Sequence, residues 1–160
     1  MDDRQSIFSV MGRQAVQKQD WAAVSNCATE LLKQNGESAE GHFLSGLVEK
    51  AALRLARASE EFATALELDP ERYDAAIELA NQHCAARRNG EAFELLARYE
   101  PMLGISPLYL VMAGTVYSDI GIPERACPLF RKANELQTGI YLFQANLASC
   151  SVYLGIIGEA

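Results

Sequence analysis

The chain has 160 residues, 49% of them apolar, and a formal charge of −7. That is enough for one domain with a continuous core, and the acidic balance argues against broad nucleic-acid backbone binding, which needs clustered Lys and Arg. No apolar run approaches the roughly 18 residues of a membrane span, and the opening MDDRQSIFSVMGRQ lacks the basic-then-apolar layout of a secretory signal, so a cytoplasmic chain without membrane contact is expected.

In chain order, one pattern returns every 34 residues. Gly12, Gly46, Ala80, Gly114 and Ala148 form a column in which each residue is Gly or Ala. Val24, Ala58, Ala92, Ala126 and Ala160 form a second, with alanine at four of its five places. Ala28, Phe62, Leu96 and Phe130 form a third, apolar column, and Gly121 and Gly155 mark a recurring turn. Fixed-period self-similarity is the signature of a stacked-repeat architecture. Repeats begin near Gln5, Ala39, Tyr73, Pro107 and Tyr141, giving units 5–38, 39–72, 73–106, 107–140 and a partial 141–160.

Each repeat reads as two amphipathic helices. In the fourth, Leu110, Ala113, Gly114 and Tyr117 fall at i, i+3, i+4 and i+7, one helical face. Gly114 lets the second helix approach, and Phe130, between Ala126 and Ala133, fills the space the small residues leave. Repeat 1 departs from the pattern, with Gln19-Asp20 at the turn and Trp21 just after it. Repeat 2 carries Leu53 at the turn. Repeat 3 is expected to delay its turn to Asn89-Gly90, with its first helix running through Arg87, and Pro101 stops its second helix. Repeat 5 ends where its second helix would begin. Leu147, Val152, Tyr153, Ile156 and Ile157 would then lack a cover, whereas solenoids normally end in a polar cap. The chain therefore reads as a piece of a longer protein, or as one that pairs with a second copy through this self-association face.

The period, the small residues and the aromatics together resemble the tetratricopeptide repeat (TPR), most closely in 39–70 and 107–138. The resemblance spans nearly the whole chain. It implies an all-α, right-handed superhelical solenoid of four full helix–turn–helix repeats plus a partial fifth. It also implies that first helices line a concave surface. The family's inward positions select Phe43, Leu47, Ile77, Asn81, Leu108, Val111, Thr115 and Leu142 as a largely apolar, peptide-binding face. Arg13, Lys50, Asp74, Cys84, Ser118 and Asp119 occupy other positions of the same set. Packing between neighbouring first helices is the alternative use of these side chains, and occupation by downstream chain is a third. Some family members clamp a chaperone tail with Lys, Arg and Asn. Here only Asn81 matches, and Phe43, Asp74 and Glu78 stand at the basic positions, so that ligand is not expected.

ANLASCSVYLGIIGEA is similar to repeats that join such an array to a sulfotransferase domain in bacterial proteins. The resemblance leaves a second role open, as the N-terminal scaffold region of a larger enzyme. The segment itself carries no G-x-S-x-G, phosphate-binding glycine loop or H-E-x-x-H, so it is not read as an enzyme, and no cofactor is called for. His42, His83 and Cys84 make too loose a set for a metal. Cys27, Cys84, Cys127 and Cys150, spaced 57, 43 and 23 apart, match no metal or haem pattern and are expected to be reduced, packed thiols. Arg54, Arg57, Arg87 and Arg88 could meet an acidic partner or a phosphate, but are expected to form a solvated edge paired with Glu60, Glu61 or Glu91. A protein or peptide partner is the function class that remains.

Overall fold

The computed structural model describes residues 7–104 and 106–140, together with 145, 146, 148–150, 152 and 155. The helices are α1 (Ile7–Gln17), α2 (Trp21–Gln34), α3 (Ala39–Ala51), α4 (Leu55–Leu68), α5 (Tyr73–Ala85), α6 (Asn89–Tyr99), α7 (Pro107–Asp119) and α8 (Pro123–Leu136). A 3-10 turn at Glu100–Met102 follows α6, and no strand occurs among the described residues. The chain divides into two compact units, Met1–Gln82 and His83–Ala160.

In the first unit α1 packs on α2, α2 on α3 and α3 on α4, and α1 also touches α3. Helices two apart in sequence therefore meet, as stacked hairpins require. Their apolar positions follow the 3.6-residue period: Val24, Cys27, Ala28 and Leu31 are buried on α2, and Ala58, Phe62 and Ala65 on α4. The glycine column marks the closest approaches. A β-carbon on Gly12 would lie 2.5 Å from Leu44 Cδ1, and one on Gly46 would lie 2.6 Å from Phe62 Cε1. In the second unit α7 packs on α8, and a β-carbon on Gly114 would lie 2.6 Å from Phe130 Cε1. The side chain each glycine omits is the space an aromatic or leucine fills.

The turns inside the helix pairs share one geometry. Gln19, Leu53, Arg87 and Gly121, each 34 residues from the next, have positive φ of 55°, 59°, 61° and 83°. At each, two amides close the preceding helix. Asp20, Arg54, Arg88 and Ile122 donate five residues back, to Ala15, Glu49, His83 and Tyr117. Gln19, Leu53, Arg87 and Gly121 donate three back, to Val16, Lys50, Cys84 and Ser118. These paired bonds are the Schellman closure, which satisfies otherwise orphaned carbonyls. Only Gly121 reaches it without a β-carbon, and the other three hold L-residues in the left-handed region. The repeat-3 turn is thus not delayed to Asn89-Gly90. Arg87 accepts the strained conformation, α5 stops at Ala85, and α6 starts in register at Asn89.

Pro101 has the effect expected of it. Helices α2, α4 and α8 each run 14 residues, while α6 runs 11 and gives way to the 3-10 turn that contains Pro101. A proline there has no amide hydrogen to continue the ladder. Leu103 turns inward and is fully buried, and α7 still begins 34 residues after α5.

Two substitutions test this geometry. Gly114→Ala should lower stability by about 1 kcal/mol or more by overpacking against Phe130, although helix propensity alone would favour alanine. Leu53→Gly, at a side chain 82% exposed, should raise stability by about 0.5–1 kcal/mol by relieving the left-handed strain. Urea unfolding reads both, and opposite signs would reject the assigned turn and packing register.

Candidate partner-binding surface

The first-helix side of the unit Met1–Gln82 is organised by charge. Arg13 of α1 reaches Glu40 of α3 through Nε and Nη2, both at 2.7 Å, and Asp74 of α5 through Nη2 at 3.0 Å. Arg72 donates to Glu40 at 2.7 Å and grips Asp74 with Nε at 3.0 Å and Nη2 at 2.8 Å. The Ala75 amide adds a bond to Asp74 Oδ1 at 2.8 Å. The Arg72 and Arg13 guanidiniums stand 4.6 and 5.4 Å from the centre of the Phe43 ring. Lys50 pairs with Glu78 at 2.7 Å, a second tie between α3 and α5.

The four charges of the main cluster cancel. Arg72, Glu40 and Asp74 are buried, while the Arg13 side chain remains 45% exposed. Burial alone would raise the Asp74 carboxyl, but Arg72 and then Arg13 outweigh it and hold the group below the usual carboxylate range. Burial also opposes charge on both arginines, and their carboxylate partners more than offset it. The cluster is a buried tie across repeats 1 to 3, and Arg13 and Asp74 are 61 residues apart.

The apolar positions of this unit serve the interior. Phe43, Leu47 and Ile77 are buried, and Asn81 is half-buried. Glu40 and Arg72 were not singled out by sequence. The available signal was an acid at position 2 of successive repeats, Glu40 and Asp74, with an arginine two residues before the second.

The unit His83–Ala160 is more open. On α7, Val111 is buried, while Leu108 is 60% exposed and Thr115, Ser118 and Asp119 are exposed. A cleft of about 380 Å³ lies beside Thr115, Ser118 and Asp119, between Pro123 and Phe130 on one side and Asn146, Ser149 and Cys150 on the other. Cys150 is joined to Cys127 of α8 by a disulfide, with α-carbons 5.5 Å apart. This corrects the expectation of four thiols. The two cysteines sit at unlike positions of consecutive repeats, so no local spacing signals them, and only the fold brings them together. Cys27 and Cys84 are free, and burial pushes both thiols up. Val152 is 63% exposed. Leu142, Leu147, Tyr153, Ile156 and Ile157 lie outside the described residues.

A second cleft, of about 470 Å³, borders Glu100, Pro101, Leu110, Arg125, Leu129 and Lys132. Beside it the Tyr117 hydroxyl donates to Glu100 at 2.8 Å, and Arg125 donates to both at 3.2 Å. Burial, aided by Glu100, pushes the phenol up to about 12. His42 meets Glu61 at 2.7 Å, and His83 lies 3.7 Å from Glu91, its pKa lowered by burial and Arg88. No group of three or more metal-ligating side chains converges among the described residues. Arg88 pairs with Glu91 at 3.4 Å, whereas Arg54 pairs with Glu49 rather than Glu60 or Glu61. No described helix is long and apolar enough to cross a membrane.

No protein-family profile matches the sequence, and no curated protein does. Solved structures do match. TTC0263, a thermophilic TPR protein of Thermus thermophilus, is 17% identical over 95% of this chain and 84% of its own, with a TM-score of 0.75. PilF of Pseudomonas aeruginosa is 18% identical over 89% of this chain with a TM-score of 0.72, and the match spans 65% of its length. YrrB, a TPR protein with an unusual peptide-binding site, is 22% identical over 82% of this chain and 68% of its own, with a TM-score of 0.68. The fold is the all-α tetratricopeptide-repeat solenoid.

The charge cluster has a testable pH signature. Asp74 titrates lower folded than unfolded, where carboxylates lie near 3.9. Its contribution is therefore present above that value and is lost as pH falls through the folded one. Asp74→Asn should flatten this acid loss in urea unfolding, and Arg72→Met should cost about 3 kcal/mol or more at neutral pH by leaving buried carboxylates unpaired. Wild-type acid sensitivity in Asp74→Asn would count against the cluster.

Proposed function

We propose that the chain is a protein-interaction scaffold that holds an extended peptide or a helix of its partner along the first-helix face. The observation that carries this reading is on α7. Leu108, Val111, Thr115 and Ser118 share one helical face. Val111 is spent on the core, yet Leu108 remains 60% exposed on the same helix as exposed hydroxyls and Asp119, which border a cleft about two to three turns further along. An apolar anchor beside polar groups suits a peptide, with side chains to bury and a backbone to hydrogen-bond. Asn81, half-buried on α5, offers an amide that both donates and accepts. Phe43, Leu47 and Ile77 in the unit Met1–Gln82, and Val111 and Leu142 in the unit His83–Ala160, are the further positions proposed for peptide contact. The peptide-binding site of YrrB, a protein of similar fold, is in keeping with this role.

Self-association through Leu147, Val152, Tyr153, Ile156 and Ile157 is the second reading. Its support is the exposure of Val152, and a mass that rises with concentration would favour it. A place as the scaffold region of a larger enzyme, such as a sulfotransferase, rests on the sequence resemblance of 145–160 alone.

Panning the immobilised chain against a random peptide library tests the scaffold reading. Peptides enriched on the wild type should be retained poorly by Leu108→Asp, with helical circular dichroism unchanged. No enrichment over the bare support, or equal retention by the variant, would reject it.

A further inference from the structure

The cleft beside α7 has an unusual balance of hydrogen-bonding groups. The Thr115 hydroxyl donates its proton to Val111 O at 2.9 Å, and the Ser149 hydroxyl donates to Ala145 O at 3.0 Å. Both oxygens therefore face outward as acceptors only. Asp119 adds a carboxylate, exposed and outside every ion pair found among the described residues. Ser118 and Asn146 can act either way. No Lys, Arg or His lines the space. A ligand for this cleft must bring its own donors, and about 380 Å³ is ample for one long side chain.

One wall of the same cleft is held by a covalent bond. Cys150 lines it, and its partner Cys127 is fixed in α8. At the same register of the earlier repeats stand Ser25 and Val48, Ser59 and Gln82, and Phe93 and Val116. None of these residues is a cysteine, so the disulfide belongs to this junction and not to those before it. Asn146 and Ser149, which complete the acceptor set, lie within one helical turn of Cys150.

We propose that this cleft binds a lysine or arginine side chain of the partner, and that the Cys127–Cys150 disulfide keeps the site assembled. The inference rests on the scaffold reading and adds a partner chemistry and a control to it. The cation enters between Asp119 and the Thr115 and Ser149 oxygens, as charge-assisted hydrogen bonding favours. A dithiol reductant switches the site off. One reductant thiolate attacks a disulfide sulfur and expels the other cysteine as a thiolate, which takes up a proton. The second reductant thiol then displaces the mixed disulfide. Two electrons and two protons pass to Cys127 and Cys150, and the reductant leaves as its cyclic disulfide. Both cysteines are buried, at 2% and 6% exposure, so attack requires local opening.

The test uses the full chain, a fluorescent lysine-rich peptide, a glutamate-rich counterpart and the peptides enriched by panning. Alkylation of the unreduced chain in denaturant should label two cysteines, Cys27 and Cys84, and labelling of all four would overturn the latch. The lysine-rich peptide should bind, the glutamate-rich one should not, and Asp119→Asn should weaken binding about tenfold. Glu67→Gln, an exposed carboxylate of the other unit, changes the net charge equally and should leave binding intact. An equal loss in both variants, no loss in Asp119→Asn, or equal binding of both peptides would overturn the cation site. Dithiothreitol and Cys150→Ser should each reproduce the tenfold loss, and unchanged affinity after both would overturn the redox control. Enriched peptides that depend on Leu108 but on neither Asp119 nor redox state would sink this inference and spare the scaffold. Failure of every peptide to bind would sink the scaffold itself.

Discussion

Close approach of helices at a glycine is the constraint on which the structure depends. Gly12, Gly46 and Gly114 sit where a single β-carbon would meet Leu44, Phe62 or Phe130 at 2.5–2.6 Å. The bulky side chain and the missing one are two halves of one contact. With that distance fixed, small residues must follow on the facing helix, as Ala58, Ala65, Ala126 and Ala133, all fully buried, show. A 34-residue spacing of turns then holds the pairs in register. Three of the four described turns hold that register without glycine, so tertiary packing here overrides local preference.

The first-helix surface is used differently in the two units. In Met1–Gln82 it carries a neutral set of charges around Phe43, three of them buried and Arg13 half exposed, which spends the guanidiniums and carboxylates on one another. Such a set specifies which groups must meet more than it adds stability, because desolvation offsets much of the ionic attraction. In His83–Ala160 the corresponding side leaves Leu108 and several hydrogen-bond acceptors uncovered. Those uncommitted groups are what a partner could use.

Much of the fold was legible in the sequence because close packing admits few residue types. A column holding only Gly and Ala at one period has little other explanation, and the Gly114–Phe130 contact could be read directly. The candidate surface was harder. An apolar residue at an inward position suits a groove and an inter-helix contact equally, and only burial separates Leu108 from Val111. The Arg13–Asp74 pair spans 61 residues, and the Cys127–Cys150 bond joins unlike positions of two repeats. Neither leaves a local pattern. Arg87 hid its turn because arginine seldom adopts positive φ, and the neighbouring Asn89-Gly90 is the ordinary signal for a turn.

A partner held along the first helices would leave its mark on their exposed side chains. Backbone chemical-shift mapping of the isotope-labelled chain with a saturating library-derived peptide tests it most directly. Perturbations should centre on Leu108, Thr115, Ser118 and Asp119, with the exposed residues Arg131 and Glu135 of α8 undisturbed. Perturbations confined to exposed faces of α2, α4 or α8 would contradict it.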